Sequence, residues 1–465
     1  SNEIIIIYDI IEVINKGEIM KESIQSINNC PNCKKEIAEG VQFRPDCGAN
    51  LSQKPAKQKK PVTKKWWFWV IIAVAFIVII GAAGGSGDDS DTDVINSGVV
   101  QSNETTVIDD TTVEKTTEKA TTVFCAGSEF YEIRIEEADT KDFATYTATL
   151  KENGYTEHSA KKIGNAEYAV YKNDKMALYV NQFDSAMRIV YSDIKTAFLP
   201  ETEQSAFEKV CDTKGYMVGV TGGTYENGLC FIYLLADGTF LIYDGGNDAP
   251  DADHLYELLH RIAGQHGINE VVISNWMLTH AHGDHSGCLK EFFAKYADSV
   301  EIQRVMFNPS HPNLSVDVDR REEKNVLKAI QTYSPDTKIV KLHSGQEFWL
   351  ADMKVEVLYT IEDLAPGTSD DYNDTSTITR LTINNETILM TGDSSFGVWG
   401  LMCKAYGEAM KSDYLQVPHH GAHDGGTKAA YDLIQPTYLL WPCGDKLYAD
   451  NLTDIYICSV FLVHD

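Results

Sequence analysis

The chain has 465 residues, with 40 Lys and Arg against 68 Asp and Glu and a formal charge of −28. Such a length allows two or three domains. So acidic a surface argues against a protein that wraps a long polyanion, because nucleic-acid binding rests on basic patches and counterion release.

Residues 1–29 carry a short apolar run, Ile4 to Ile7, with no clear partner, and no function is read there. Next come Cys30-Pro31-Asn32-Cys33 and Phe43-Arg44-Pro45-Asp46-Cys47-Gly48. Residues 30–50 resemble a short zinc ribbon with two knuckles. The second knuckle has Arg44 where the pattern has a cysteine. Cys30, Cys33 and Cys47 leave three thiolates, whereas a structural Zn²⁺ wants four ligands. Either the site is degenerate, or a partner or water completes it.

Residues 51–65 form a basic linker with six lysines (54, 57, 59, 60, 64, 65). Residues 66–86 are uncharged and mostly apolar, long enough for one transmembrane helix. The Trp66-Trp67-Phe68-Trp69 group suits an interfacial aromatic belt, and Asp88, Asp89, Asp91 and Asp93 follow the span. The positive-inside rule puts the N-terminus in the cytoplasm and the rest outside a bacterial cell membrane. A buried core helix would not be flanked in this way.

Residues 87–124 are poor in large apolar side chains and read as a flexible tether. Residues 125–214 read as a small α+β domain. A helix is expected from Ala138 to Asn153, stopped by Gly154. Strands are expected at Tyr168 to Tyr171, Met176 to Val180 and Met187 to Tyr191, with a hairpin turn at residues 172–175. No residue of this domain suggests chemistry, so it reads as a spacer, docking or substrate-presenting module. Seven cysteines (125, 211, 230, 288, 403, 443, 458) follow the span. The number is odd and the spacing irregular, so no disulfide framework can be read.

Residues 215–465 hold the chemical signal. Thr279-His280-Ala281-His282-Gly283-Asp284-His285 follows an apolar run and puts three of the chain's 13 histidines and a carboxylate within six residues. Imidazole and carboxylate at a strand end suit Zn²⁺, Mn²⁺ or Fe. Asp244-Gly245-Gly246, Thr391-Gly392-Asp393 and Pro418-His419-His420-Gly421 close three further apolar runs. Singly, each reads as a turn or a cap. In this order they resemble the metallo-β-lactamase-fold hydrolases. With Asn373-Asp374-Thr375-Ser376 they are most similar to the branch containing the competence DNA-uptake protein ComEC/Rec2, and similar also to phosphorylcholine esterases.

The resemblance implies an α/β fold, an αββα sandwich with its site on one edge. It implies two divalent ions, Zn²⁺ foremost and Mn²⁺ or Fe as alternatives. His280 and His282 match the first metal site, Asp284 and His285 the second, Asp393 the bridging carboxylate and His419 the last ligand. Many relatives have another histidine at the first site; the candidates here are His311 and His343, the latter expected to face solvent. Asp244 is expected to hold a ligand histidine rather than a metal. Such a metal pair holds hydroxide at neutral pH. Asp284 is the residue expected to orient it, and His420 or His423 to protonate the leaving group.

Residues 1–87 carry 11 basic and 8 acidic residues, which leaves −31 for residues 88–465. A small phosphoester, of the envelope or free, therefore fits better than DNA. The alternatives are a nuclease of the DNA-uptake type and a non-catalytic metal-binding membrane sensor.

Overall fold

The computed structural model describes residues 43–44, 49–50, 120–124, 130–220, 228–310, 317–363 and 371–444. The chain divides into two compact units, residues 1–80 and 81–465. In the first, Phe43–Arg44 pairs antiparallel with Ala49–Asn50, on either side of Cys47. Cys30, Cys33, Cys47 and the apolar run of residues 66–86 lie outside the described residues. Among the described residues no helix is long and apolar enough to cross a membrane.

The second unit opens with a six-stranded antiparallel sheet. Its strands are β1 (Ala120–Phe124), β2 (Phe130–Glu136), β3 (Thr156–Ile163), β4 (Ala166–Lys172), β5 (Met176–Phe183) and β6 (Ala186–Asp193). The spatial order is β1-β2-β6-β5-β4-β3. Helix α1 (Thr140–Glu152) covers the sheet, with Asp139 as N-cap in a capping box with Asp142. Gly154, at φ 85°, ends it as expected. Asn173 Oδ1 accepts from the amides of Lys175 and Met176, which closes the β4–β5 hairpin. The sequence reading missed β1 to β3, and β1 begins before the expected domain start at residue 125.

The rest of the unit is two sheets face to face. The first contains β7 (Lys214–Met217), β8 (Cys230–Leu234), β9 (Phe240–Asp244), β10 (Val272–Leu278), β11 (Glu301–Ile302), β12 (Arg304–Phe307) and β13 (Lys338–Val340). Its order is β13-β12-β10-β9-β8-β7, with β11 also on β10. The second runs β14 (Glu347–Leu350), β15 (Met353–Tyr359), β16 (Ile378–Ile383), β17 (Glu386–Met390), β18 (Tyr414–Gln416) and β19 (Tyr438–Leu440) in spatial order.

The period of two along each strand sorts the core. Phe231, Tyr233, Leu241, Tyr243 and Met277 meet Phe348, Val355, Leu381 and Met390 between the sheets. Ile232, Leu234, Phe240, Ile242 and Trp276 point the other way. There they bury against Leu255 and Leu259 of α2 (Ala249–Gln265) and Leu289 and Phe292 of α3 (Gly283–Tyr296). Helix α4 (Asp317–Tyr333) adds Val326 and Ile330. On the far side of the second sheet lie α5 (Phe396–Tyr406) and α6 (Lys428–Ile434), with Trp399, Met402 and Tyr431 buried. The layers are helix, sheet, sheet, helix, as expected of the αββα sandwich.

The small domain is built onto this second layer. Ile163, Ala166 and Tyr168 share one core with Ala405 and Tyr406. Tyr179 stacks on His343, ring centroids 3.5 Å apart, and His343 Nδ1 bonds Glu362 at 2.9 Å. His343, expected in solvent, is therefore a buried residue at the domain junction, 3% exposed.

Candidate metal centre

Four chain segments converge at one edge of the two sheets. Strand β9 ends in Asp244, whose φ of 55° turns the chain into Gly245. Parallel to it, β10 ends at Leu278, and residues 279–282 lead into α3, with His282 at its N-cap. Strand β17 ends before Thr391-Gly392-Asp393, and β18 before Pro418–Gly421. Ligands at strand ends rest on the rigid part of the fold, so their spacing is set by the sheets.

Two glycines permit the close approach. A Cβ at Gly287 of α3 would lie 1.5 Å from the carbonyl oxygen of Asn247, so the helix can only lie this near the β9 loop with glycine there. Gly392, at φ 55°, has Ser376 Oγ and Thr279 Cβ each 2.9 Å from where its Cβ would be. Gln416 fixes the same loop. Its Oε1 accepts from the amides of Thr391 and Gly392, both at 2.8 Å, and its Nε2 donates to Val417 O at 2.8 Å.

His280, His282, Asp284, His285 and Asp393 come together, as the sequence suggested. Two groups of donor atoms form, one from Asp284, His285, Asp393 and His420 and one from His280, His282 and Asp393. Asp393 is common to both. The expected division within the histidine pair is reversed: His420, not His419, completes the larger group. His420 Nε2 lies 3.4 Å from both Asp284 Oδ2 and Asp393 Oδ2. Its Nδ1–H donates to Pro442 O at 2.7 Å, which leaves Nε2 as the inward atom. His419 Nε2 stops 3.9 Å from Asp393, and its Nδ1 is held by Asp424 at 2.7 Å. The cause is local: His419 and His420 both have positive φ, 49° and 52°, and this tight turn swings the second ring inward. The signal lay in the sequence only as two adjacent histidines, either of which fits. His423 is exposed and His311 lies outside the described residues.

Asp244 behaves as expected. It takes no place in the donor groups; it accepts from His285 Nδ1 at 2.8 Å and from the Thr279 amide and hydroxyl at 2.7 and 2.8 Å. His285 Nε2 is thereby aimed at Asp393 Oδ2, 3.0 Å away. Sequence reading did not single out Tyr372, and it named Ser376 only within the run Asn373 to Ser376, without a role at the site. Ser376 Oγ accepts the Asp393 amide at 3.0 Å and lies 3.4 Å from His280 Nδ1. The Tyr372 ring sits 4.9 Å from that of His282 and walls one side.

The electrostatics mark where a cation belongs. Burial works against ionised Asp393, yet His285 and His420 hold its pKa well below the carboxylate range. Asp284 is treated the same way: burial opposes its charge, and His285 and His420 draw its pKa down. Burial likewise opposes charge on His420, but Asp393 and Asp284 push its pKa up to about 10. Acids and imidazoles thus lie against each other where the donors converge. The fit to a metal is shown by orphans. His285 Nε2, His420 Nε2 and Asp393 Oδ1 are buried and make no hydrogen bond. Buried polar atoms are seldom left so, and a coordinated ion would satisfy all three. In the smaller group His280 Nε2 and His282 Nδ1 face each other at 3.0 Å.

The fold and the donor set together define a two-sheet α/β protein whose strand ends gather His and Asp donors that could hold a metal. Residues 225–438 match the model of the metallo-beta-lactamase superfamily, and this stretch is a domain of that superfamily. Solved structures match the chain at low identity and low TM-score. The metallo-beta-lactamase fold protein YhfI from Bacillus subtilis is 14% identical over 52% of this chain and 93% of its own, TM-score 0.32. A mutant metallo-beta-lactamase from Cronobacter sakazakii is 13% identical over 54% and 98%, TM-score 0.28. The diiron beta-hydroxylase CmlA from Streptomyces venezuelae is 12% identical over 56% and 52%, TM-score 0.32. No curated protein sequence matches the chain.

Proposed function

We propose that this protein is a membrane-anchored, extracellular, metal-dependent hydrolase of a small phosphoester. The observation that carries the hydrolase reading is the pair of donor groups joined through Asp393. Divalent ions bound in such a cradle would supply Lewis acidity and lower the pKa of water toward neutrality. Asp284, His285, Asp393 and His420 would hold one ion, and His280, His282 and Asp393 the other. Asp284 reaches the donor group from the start of α3 and would be the carboxylate that orients the attacking water. His419, held by Asp424 and 3.4 Å from Asn373 Nδ2, lines the rim where an outer oxygen of the substrate would lie. His420, first assigned to leaving-group protonation, is taken up by the donor group and passes out of that role.

The substrate class is argued from charge. Residues 88–465 carry −31, and their repulsion reaches about a Debye length, roughly 8 Å at physiological salt, so a polyanion lying along the surface meets much of it and a small ester little. The anchor is argued from the lysines before residue 66 and the aspartates after residue 87. The test is the purified full chain loaded with Zn²⁺ or Mn²⁺ and offered bis(p-nitrophenyl) phosphate, a phosphorylcholine ester and single-stranded DNA. Turnover of the small esters, abolished by chelator and by His282→Ala, supports the proposal. Salt-sensitive DNA degradation with no ester turnover would establish the nuclease instead. Metal binding without turnover of any of these would favour the sensor. Protease added to intact cells should release the catalytic domain; its protection would overturn the orientation.

A further inference from the structure

The two donor groups differ in number and charge. The larger gathers Asp284, His285, Asp393 and His420, two carboxylates and two imidazoles. The smaller has His280 and His282 and must share Asp393. Among the described residues no further His, Cys, Asp or Glu joins it. Tyr372 walls His282 but turns its hydroxyl to Glu323 of α4, at 2.8 Å, and His419 is held by Asp424. A metal site with three protein ligands keeps a coordination position open, whereas four close it.

The groups also differ in what their inward atoms already hold. In the larger group His285 Nε2, His420 Nε2 and Asp393 Oδ1 make no hydrogen bond, while the far ring nitrogens are pinned by Asp244 and by Pro442 O. A cation entering there meets rings already aimed and breaks nothing. In the smaller group the Thr279 hydroxyl sets the tautomer of His280. Its one proton goes to Asp244 Oδ2, so toward His280 Nδ1, 3.1 Å away, its oxygen can only accept. The longer contact of Ser376 Oγ, 3.4 Å, suits the same proton on Nδ1. His280 Nε2 is therefore the bare nitrogen, and it accepts from His282 Nδ1 at 3.0 Å. An ion entering this group must break that hydrogen bond and move the His282 proton off Nδ1.

We infer that the two groups load in a fixed order. Asp284, His285, Asp393 and His420 take the first ion; His280, His282 and the shared Asp393 take the second, with at least roughly tenfold weaker affinity, the scale on which ring-orienting partners act. The inference rests on the reading that these donors hold divalent ions. Like charge adds to the gap, because the second ion meets a carboxylate that already serves the first. At low free metal the chain would carry one ion, and the supply of the second would regulate the two-ion hydrolase proposed above.

The experiment titrates Mn²⁺ into the chelator-stripped full chain and reads free Mn²⁺ from its electron paramagnetic resonance signal. Thiolates hold Mn²⁺ poorly, which keeps Cys30, Cys33 and Cys47 out of the count. Two classes of one ion each should appear, their dissociation constants at least roughly tenfold apart. His282→Ala should lose the weak class and keep the strong one. His420→Ala should lose the strong class; Asp284→Asn, at a partly exposed side chain, gives the same reading if the circular dichroism of His420→Ala is not native. His311, outside the described residues, should matter to neither class, and His311→Ala should bind as wild type does. Two classes of equal affinity, or loss of the strong class in His282→Ala, would overturn the order. Loss of the weak class in His311→Ala would overturn it too, by giving the smaller group a fourth donor. Absence of any bound Mn²⁺ would refute the metal reading of the site itself, and the order with it.

Discussion

His420 Nε2 approaches Asp393 Oδ2 to 3.4 Å, whereas its neighbour His419 stops at 3.9 Å and is held outward by Asp424. Two adjacent histidines thus have different work. His420→Ala should remove the ion held with Asp284 and His285, and lower metal content by about one per chain. His419→Ala should keep its metal and lose kcat/KM. Elemental mass spectrometry of the desalted variants checks this, and equal metal loss in both would return His419 to the ligand set.

Asp393 belongs to both donor groups, and a bridging carboxylate has no substitute among the other ligands. Asp393→Ala should therefore lose both ions, not one. Full metal retention in that variant would sink the bridging assignment.

Asp244 belongs to neither donor group but fixes His285 through a 2.8 Å hydrogen bond. Removing such a partner typically costs 10–100-fold in metal affinity. Asp244→Asn should show a loss of this size in competition with a chelating dye while keeping a native fold. An unchanged dissociation constant would reduce Asp244 to a loop-structuring residue.

The strand-end motifs made the donor set legible because each strand end brings one short cluster, and sheet geometry does the rest. Asp244 was legible for the same reason. The His419/His420 choice was not, because it hangs on two left-handed backbone angles that adjacent identical side chains do not encode. His343 misled for a related reason: it precedes a glycine turn, yet its ring is covered by Tyr179 of the small domain, far earlier in the chain. The small domain's helix was visible through its cap and its stop, and its central hairpin through Asn173. Strands β1 to β3 were not, since β3 reads Thr-Glu-His-Ser-Ala-Lys-Lys-Ile, mostly exposed and polar, and pairs at a sheet edge.

The last prediction concerns pH and the junction between the two domains. Glu356 on β15 is 6% exposed and faces three cations. Arg380 Nε lies 2.8 Å from it, Lys161 of the small domain 3.2 Å and Lys354 3.8 Å. Burial alone would raise its pKa, but the hydrogen bond and charge of Arg380, helped by the lysines, bring it from 4.5 down to about 2. A carboxylate whose pKa is depressed on folding stabilises the folded state above its unfolded pKa, and that stability is lost as pH falls through the folded value. The window here is about pH 4.5 down to about 2, and a shift of this size corresponds to roughly 3 kcal/mol. At pH 7 Glu356→Gln should lower Tm, because it leaves Arg380 and Lys161 facing a neutral amide. As pH falls from 5 to 2, wild type should lose its advantage and the two melting curves should converge. Any ions held by the His and Asp donors would be released in acid, so both proteins must be compared metal-free. A difference in Tm that stays constant from pH 7 to pH 2 would show that Glu356 stabilises the junction by packing and not by its charge.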